Sequence, residues 1–160
     1  MSVTSFADST KLDTLFVALK LSENETEAMR IEQEIWLQWM ESGDPEIDAM
    51  LQLAMKKRRF YDFDGAINLL DKIILQKPDF SEAWNQRATL YFFQKKYQKS
   101  LNDIAKTLAL EPRHFGSLAG RAAIRWRQLK PELARKDIIE AMKIHPFLKA
   151  KRMFPGLQKS

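Results

Sequence analysis

The side chains of this chain with binding chemistry to offer are cationic and aromatic rather than nucleophilic. The run Lys56-Lys57-Arg58-Arg59 leads directly into Phe60 and Tyr61, and Phe92, Phe93 and Trp126 recur further on. Basic groups interleaved with flat rings neutralise phosphates and stack bases, and a pI near 9.4 points the same way. Against a nucleic-acid reading, Lys56 and Lys57 fall on different faces of one helix. RNA or another anionic surface is therefore the lesser expectation, and steep salt dependence would be its signature. Nothing reads as a catalytic set. The two histidines, His114 and His145, stand close to prolines in turns, with no Ser and Asp arranged around them as a triad. There is no Cys, which removes disulfides, thiolate nucleophiles and Cys-ligated metals. No Gly-rich phosphate loop is present. Asp62, Asp64, Asp71, Asp103 and Asp137 are spread along helical segments, where ion pairing is the default, for Asp103 with Lys99 or Lys106 and for Asp137 with Arg135 or Lys136. The expectation is a protein with no enzymatic activity, cofactor or metal.

The elements that carry these side chains repeat. Pro78, Pro112 and Pro146 stand 34 residues apart, the length of a helix-turn-helix unit whose second helix ends before a proline. The repeats run over residues 47–80, 81–114 and 115–148. Small residues recur in pairs, Ala54 with Ala66, Ala88 with Ser100 and Ala122 with Ala134, where two helix backbones must approach closely. Met50, Trp84 and Leu118 share one register, and Leu70, Ile104 and Ile138 another; Ile73, Thr107 and Ala141 share a third, looser one. Phe63, Tyr97 and Pro131 open the second helices, the proline suiting a first helical position.

With these residues the chain resembles the tetratricopeptide repeat family over about two-thirds of its length, most clearly in the middle repeat through Trp84, Ala88, Tyr91, Tyr97, Ser100, Ile104 and Pro112. The family's Leu-Gly pair is replaced by Leu53-Ala54, Arg87-Ala88 and Arg121-Ala122. The resemblance implies an all-α, right-handed helical-repeat solenoid with an inner groove lined by the first helix of each repeat. Mapped onto that groove, the partner-binding candidates are Met55, Arg58 and Arg59 in repeat one, Asn85, Gln86, Thr89, Phe92 and Phe93 in repeat two, and Trp126 and Arg127 in repeat three, with Arg125 beside them. Arginine and aromatic side chains are the usual anchors of interfaces, and Asn85 and Gln86 are suited to holding a peptide backbone. Phe92 and Phe93 cannot both face one groove freely, so one of them is expected against the neighbouring repeat, and Trp126 is a candidate to close the third hairpin. Glu82 also maps to an exposed position of the groove, and Gly116, Ala119 and Gly120 leave room on the inner wall for a ligand or for the C-terminal segment. The family's carboxylate clamp, which grips acidic chaperone tails, would fall on Leu51, Met55, Gln86, Gly116 and Gly120, and only Gln86 is similar, so a chaperone-tail co-adaptor is not expected. The implied function is a scaffold or adaptor binding a protein or peptide with acidic and apolar side chains. The alternatives are the anionic-surface reading and a self-assembling homo-oligomer.

The remaining composition frames this. The chain has 160 residues, 45% of them hydrophobic, enough for one continuous core. No alternating β-branched run is present, and no apolar stretch is long enough to span a membrane. Residues 1–10 read as a frayed terminus. Ser5-Phe6-Ala7 before Asp8 has the look of a cleavage site, and bacterial repeat proteins with an export signal carry a similar acidic helical lead-in. The compartment, cytoplasmic or periplasmic, stays open. Leu12, Leu15, Phe16 and Leu19 share one helix face, and Ser22 with Glu25 reads as the capping box of a second helix carrying Ile31, Ile35, Trp36, Trp39 and Met40. Residues 11–46 are thus an acidic helical hairpin, a degenerate repeat or N-terminal cap, with both tryptophans as core residues. Phe147, Leu148, Met153, Phe154 and Leu157, among Lys149, Lys151 and Arg152, form a basic C-terminal cap or tail over 149–160. Residues 1–46 hold three Lys or Arg against ten Asp or Glu, net −7, and residues 47–160 hold 23 against 11, net +12. Either the lead-in docks on the body, or both charges sit on solvated faces, the slightly favoured reading.

Overall fold

The computed structural model describes residues 4–154 and 156, and for residues 4–9 the backbone alone. Leu157 and the side chains of Ser5, Phe6 and Ala7 lie outside the described residues, so the cleavage-site reading is not addressed. Eight α-helices are described: α1 (Thr4–Lys20), α2 (Glu25–Trp39), α3 (Pro45–Arg59), α4 (Phe63–Gln76), α5 (Ser81–Phe93), α6 (Tyr97–Leu110), α7 (Phe115–Arg127) and α8 (Pro131–Ile144). A 3-10 turn over Lys149–Met153 follows. The first helix begins at Thr4, inside the stretch expected to fray.

Three helical hairpins, α3–α4, α5–α6 and α7–α8, stack in order, as the period requires. The small-residue pairs sit at the helix crossings, all of them buried. In the middle repeat the Ser100 hydroxyl donates to the Ala88 carbonyl at 2.7 Å, so even its polar atom is used at the contact. Phe63, Tyr97 and Pro131 are the first residues of α4, α6 and α8.

The first helix of each repeat ends in the same left-handed cap. The amides of Tyr61, Lys95 and Leu129 donate to Arg58, Phe92 and Trp126, and the next amides reach back to Lys57, Tyr91 and Arg125. This double bond pattern satisfies the last carbonyls of a helix and needs one residue at positive φ. Here that residue is never glycine: Tyr61, Lys95 and Leu129 have φ of 62°, 58° and 59°.

Helix α2 starts differently from the expectation. Its N-cap is Asn24, whose side chain accepts from the Glu27 amide, while Glu27 accepts from the amide of Glu23. The Ser22 hydroxyl instead donates to Leu19 at the end of α1. Asn24 followed by Glu27 has the spacing of a capping motif, and the α1–α2 loop takes up Ser22 and Glu23.

The hairpin α1–α2 does not extend the stack beside α3 as a degenerate repeat or cap would. It lies against the third repeat: Phe16, Leu19, Ala28, Ile31, Ile35 and Trp39 form one core with Phe115, Leu118, Ala141 and Leu148. At the far end Phe154 packs on Ala122, Ala134 and Ile138, closing the last hairpin as a C-terminal cap would.

Left-handed Leu129 is 88% exposed, so no contact offsets its backbone strain. Leu129→Gly is expected to stabilise the fold by roughly 1 kcal/mol, seen as a higher urea midpoint at unchanged slope.

Candidate functional site

The inner face is built from α3, α5 and α7, and α2 runs across part of it. Trp36 fills the space over Gly116: a Cβ there would lie 2.9 Å from the indole ring. Trp39 stacks on His114 with ring centroids 4.0 Å apart and planes nearly parallel. The room that Gly116 leaves on the inner wall is therefore taken by the chain's own N-terminal hairpin, neither by a ligand nor by the C-terminal segment. Ion pairs tie the hairpin down: Asp13 to Arg113 at 2.7 Å, Glu25 to Arg152 at 3.1 Å and Glu32 to His145 at 2.9 Å. The acidic lead-in is docked on the basic body, not held apart from it in solvent.

Under the hairpin lies a buried polar chain. Glu82, mapped by the sequence to an open groove position, is fully buried. Its carboxylate accepts from Asn85 at 3.1 Å and Gln86 at 2.7 Å, and pairs with His114 Nε2 at 3.0 Å. His114 Nδ1 accepts the Ser117 amide, which places the ring proton on Nε2, facing Glu82. Ser117 donates to Asn85, and at the outer end Arg58 donates to Gln86 at 2.8 Å. Asn85 and Gln86 are thus spent inside the protein, and only their edges reach the groove. A buried carboxylate is tolerated here because donors from α5 and from the N-cap of α7 converge on it.

Two connected depressions remain on the inner face, one against the hairpin and one between α5, α6 and α7. The first, about 470 Å³, is lined by Trp36 and Met40 of the hairpin and by Met55, Arg58, Thr89 and Gly116. The second, about 200 Å³, has Ala88, Gly120 and Ala123 as floor and Phe92 and Phe93 as wall. Asn85, Thr89 and Gly116 border both. Phe93 stacks on Phe63 of the preceding repeat, and Arg127 lies over Phe92 at 4.7 Å. So Phe93 is the ring that leans on the neighbouring repeat, while both rings still border the recess.

The rest of the expected band is divided. Arg125 points away from the depressions, to Asp137 at 2.8 Å. Trp126 stands edge-on to Phe154 at the C-terminal cap, half exposed. Arg59 is exposed at the end of α3 and borders neither depression. Met55, Arg58, Asn85, Gln86, Thr89, Phe92 and Phe93 are brought together; Arg59, Arg125, Trp126 and Arg127 are not among the lining residues.

The aspartates on the second helices divide, with Asp62, Asp64 and Asp71 exposed and the other two inside. Asp103 is buried and takes a bidentate bond from Arg87 at 2.8 Å; Asp137 is buried and takes Arg121 and Arg125. The hydrogen bonds it donates to Asp103 hold the Arg87 guanidinium charged still more firmly than usual. The arginine that replaces leucine in the Leu-Gly position therefore has its own partner, 16 residues on in each of the two later repeats. Repeat one keeps Leu53 and Leu69 at those positions. The 16-residue spacing is present in the sequence, but there Lys99 and Lys106 stand nearer to Asp103, and Arg135 and Lys136 nearer to Asp137.

Among the described residues there is no cluster of side chains fit to hold a metal, and no helix is long and apolar enough to cross a membrane.

No protein-family model matches the chain. Among curated proteins, it is 40% identical over 136 residues to a TPR repeat-containing protein of Rhizobium etli, a match covering 85% of this chain and 67% of that one. Its fold is similar to the first TPR of Spaghetti (RPAP3) bound to the HSP90 peptide SRMEEVD, with a TM-score of 0.65 and 22% identity over 71% of this chain and 90% of that one. It is also similar to MamA, with a TM-score of 0.58 and 15% identity over 86% of this chain and 80% of that one.

Two outcomes test this arrangement. Glu82→Ala strands the donors of Asn85, Gln86 and His114, and is expected to cost on the order of 3 kcal/mol in denaturant unfolding. The second concerns acid. The hydrogen bond with His145 holds the Glu32 carboxyl below the ordinary glutamate range. A carboxyl lowered on folding adds stability that is complete above its unfolded pKa and is lost as pH falls through its folded one. Acidification through and below the ordinary glutamate range should loosen the hairpin, followed by the fluorescence of Trp36 and Trp39, and Glu32→Gln should blunt that response.

Proposed function

The chain belongs to the tetratricopeptide repeat family, and on that premise we propose that it is a non-catalytic scaffold or adaptor whose narrowed inner groove grips an apolar and acidic segment of a partner protein. The observation that carries this reading is the recess beside Phe92 and Phe93. Its floor of Ala88, Gly120 and Ala123 is apolar, and the polar atoms at its edge, Ser117 and Asn85, are already bonded to each other at 2.8 Å. An incoming side chain there gains by burying apolar surface and has no unpaired buried donor to satisfy. Its volume suits one leucine- or phenylalanine-sized anchor. Arg58 in the adjoining depression and Arg127 over Phe92 supply positive charge for flanking carboxylates.

The fold alone is known to accept such a ligand, since the RPAP3 repeat is bound to a peptide rich in acidic residues. The grip differs. Of the positions where a carboxylate clamp would stand, Leu51 is fully buried, Gly116 is covered by Trp36 and Gly120 has no side chain. The partner segment is therefore held by an apolar anchor with acidic neighbours, not by its terminal carboxylate.

The test is fluorescence polarisation with a panel of acidic-apolar peptides and their basic counterparts. Gly120→Leu fills the recess, where an added Cβ meets only Ile104 at 3.8 Å. We expect the wild type to prefer acidic-apolar peptides, and Gly120→Leu and Arg58→Glu each to weaken them by about tenfold, with helical circular dichroism unchanged. Equal binding by wild type and Gly120→Leu would remove the recess from the function.

A further inference from the structure

The three turns within the repeats, after α3, α5 and α7, lie along one edge of the solenoid, separate from the groove. All three carry strained backbone and exposed cations, and the first and third also carry exposed apolar side chains. Each holds a non-glycine residue at positive φ, Tyr61, Lys95 or Leu129. The apolar ones point into solvent: Tyr61 is 83% exposed, Leu129 88%, and Phe60, beside Tyr61, 75%. Cations surround them, Arg59 from α3, Lys95 and Lys96 in the second turn and Lys130 in the third, all exposed and without a carboxylate partner among the described residues. Lys57, paired with Asp62, lies on the same edge. Its carboxylates are Asp62, Asp64 and Glu132. Asp62 is spent on Lys57 and the Gly65 amide, and Asp64 accepts from Gln94.

Bulky apolar side chains on strained backbone, unburied and ringed by free cations, have no role in holding the solenoid together. We propose that this edge docks on an anionic lipid bilayer. Phe60, Tyr61 and Leu129 enter the interfacial zone, where aromatic and aliphatic side chains leave water, and Arg59, Lys95, Lys96 and Lys130 meet the headgroup phosphates. Charge complementarity selects an anionic occupant, and the apolar tips select a bilayer over RNA. Leu129 offers no face for a base to stack on, Phe63 is already stacked on Phe93, and Tyr61 leans on Phe63 at a tilt of 56°. Docking through the turn edge leaves the groove open, so the scaffold can hold a peptide while on the surface.

The experiment is flotation with vesicles of phosphatidylcholine alone or mixed with phosphatidylglycerol. One variant combines Phe60→Ser, Tyr61→Gly and Leu129→Gly, which removes the apolar tips and relaxes two turns. A second combines Lys95→Glu and Lys96→Glu. Circular dichroism checks that both remain helical. Expected are binding to the anionic vesicles only, weakening with salt, and a loss of about tenfold or more in each variant. Gly120→Leu, which fills the groove recess, should bind vesicles like wild type, so this proposal and the peptide reading fail separately. Absence of binding to anionic vesicles overturns the proposal. So does binding that the tip variant leaves unchanged, which would be adsorption by charge alone. Tighter binding to single-stranded RNA, lost in the lysine variant and not competed by vesicles, would reassign the edge to nucleic acid.

Discussion

The close approach of two helix backbones, three times over, is the constraint on which the structure rests. Ala54 against Ala66, Ala88 against Ser100 and Ala122 against Ala134 leave no room for a larger side chain. A close crossing fixes the hairpin angle, and a fixed hairpin angle makes the next hairpin stack in the same way. The inner wall follows: Met55, Thr89 and Ala123, at the same position of successive repeats, line connected space because their helices are held in one row.

The second organising contact is the one between distant ends of the chain. The N-terminal hairpin bypasses its sequence neighbour and buries its apolar face on the third repeat. Two aromatic contacts direct it there, Trp36 over Gly116 and Trp39 on His114. The ion pairs of Asp13, Glu25 and Glu32 then surround that apolar contact. Glu32 meets a buried His145, whereas the exposed pairs of Asp13 and Glu25 add little stability each. Their role is orientation, while the burial of Phe16, Leu19, Ile35 and Trp39 supplies the energy. The result is a groove with a built-in occupant over one half and an open recess in the other.

Burial of charge divides the polar residues into two kinds. Glu82, Asp103 and Asp137 are inside and fully bonded, so they belong to the architecture. Arg59, Lys95, Lys96 and Lys130 are outside and have no carboxylate partner among the described residues, so they remain available to a partner. A clustered run such as Lys56 to Arg59 carries both kinds within one turn of helix: Arg58 reaches in to Gln86 and Arg59 reaches out.

The 34-residue period, the small-residue pairs and the turn prolines determined the all-α repeat fold and most of its helix limits without coordinates, because those features act within one hairpin and its immediate neighbour. The two aromatic residues of the recess wall, Phe92 and Phe93, were also legible, since a position on a repeated helix implies a position on the inner face. The rest needed tertiary structure. Sequence placed Asn85, Gln86 and Glu82 at the groove, but whether such groups are free depends on what lies above them, and that is decided by Ser117, His114 and the hairpin, far along the chain. The space over Gly116 was apparent; its occupant, Trp36, was not, because an 80-residue separation carries no periodic signal. Local spacing dictates local geometry, while long-range docking depends on the match of two surfaces that exist only once each has folded.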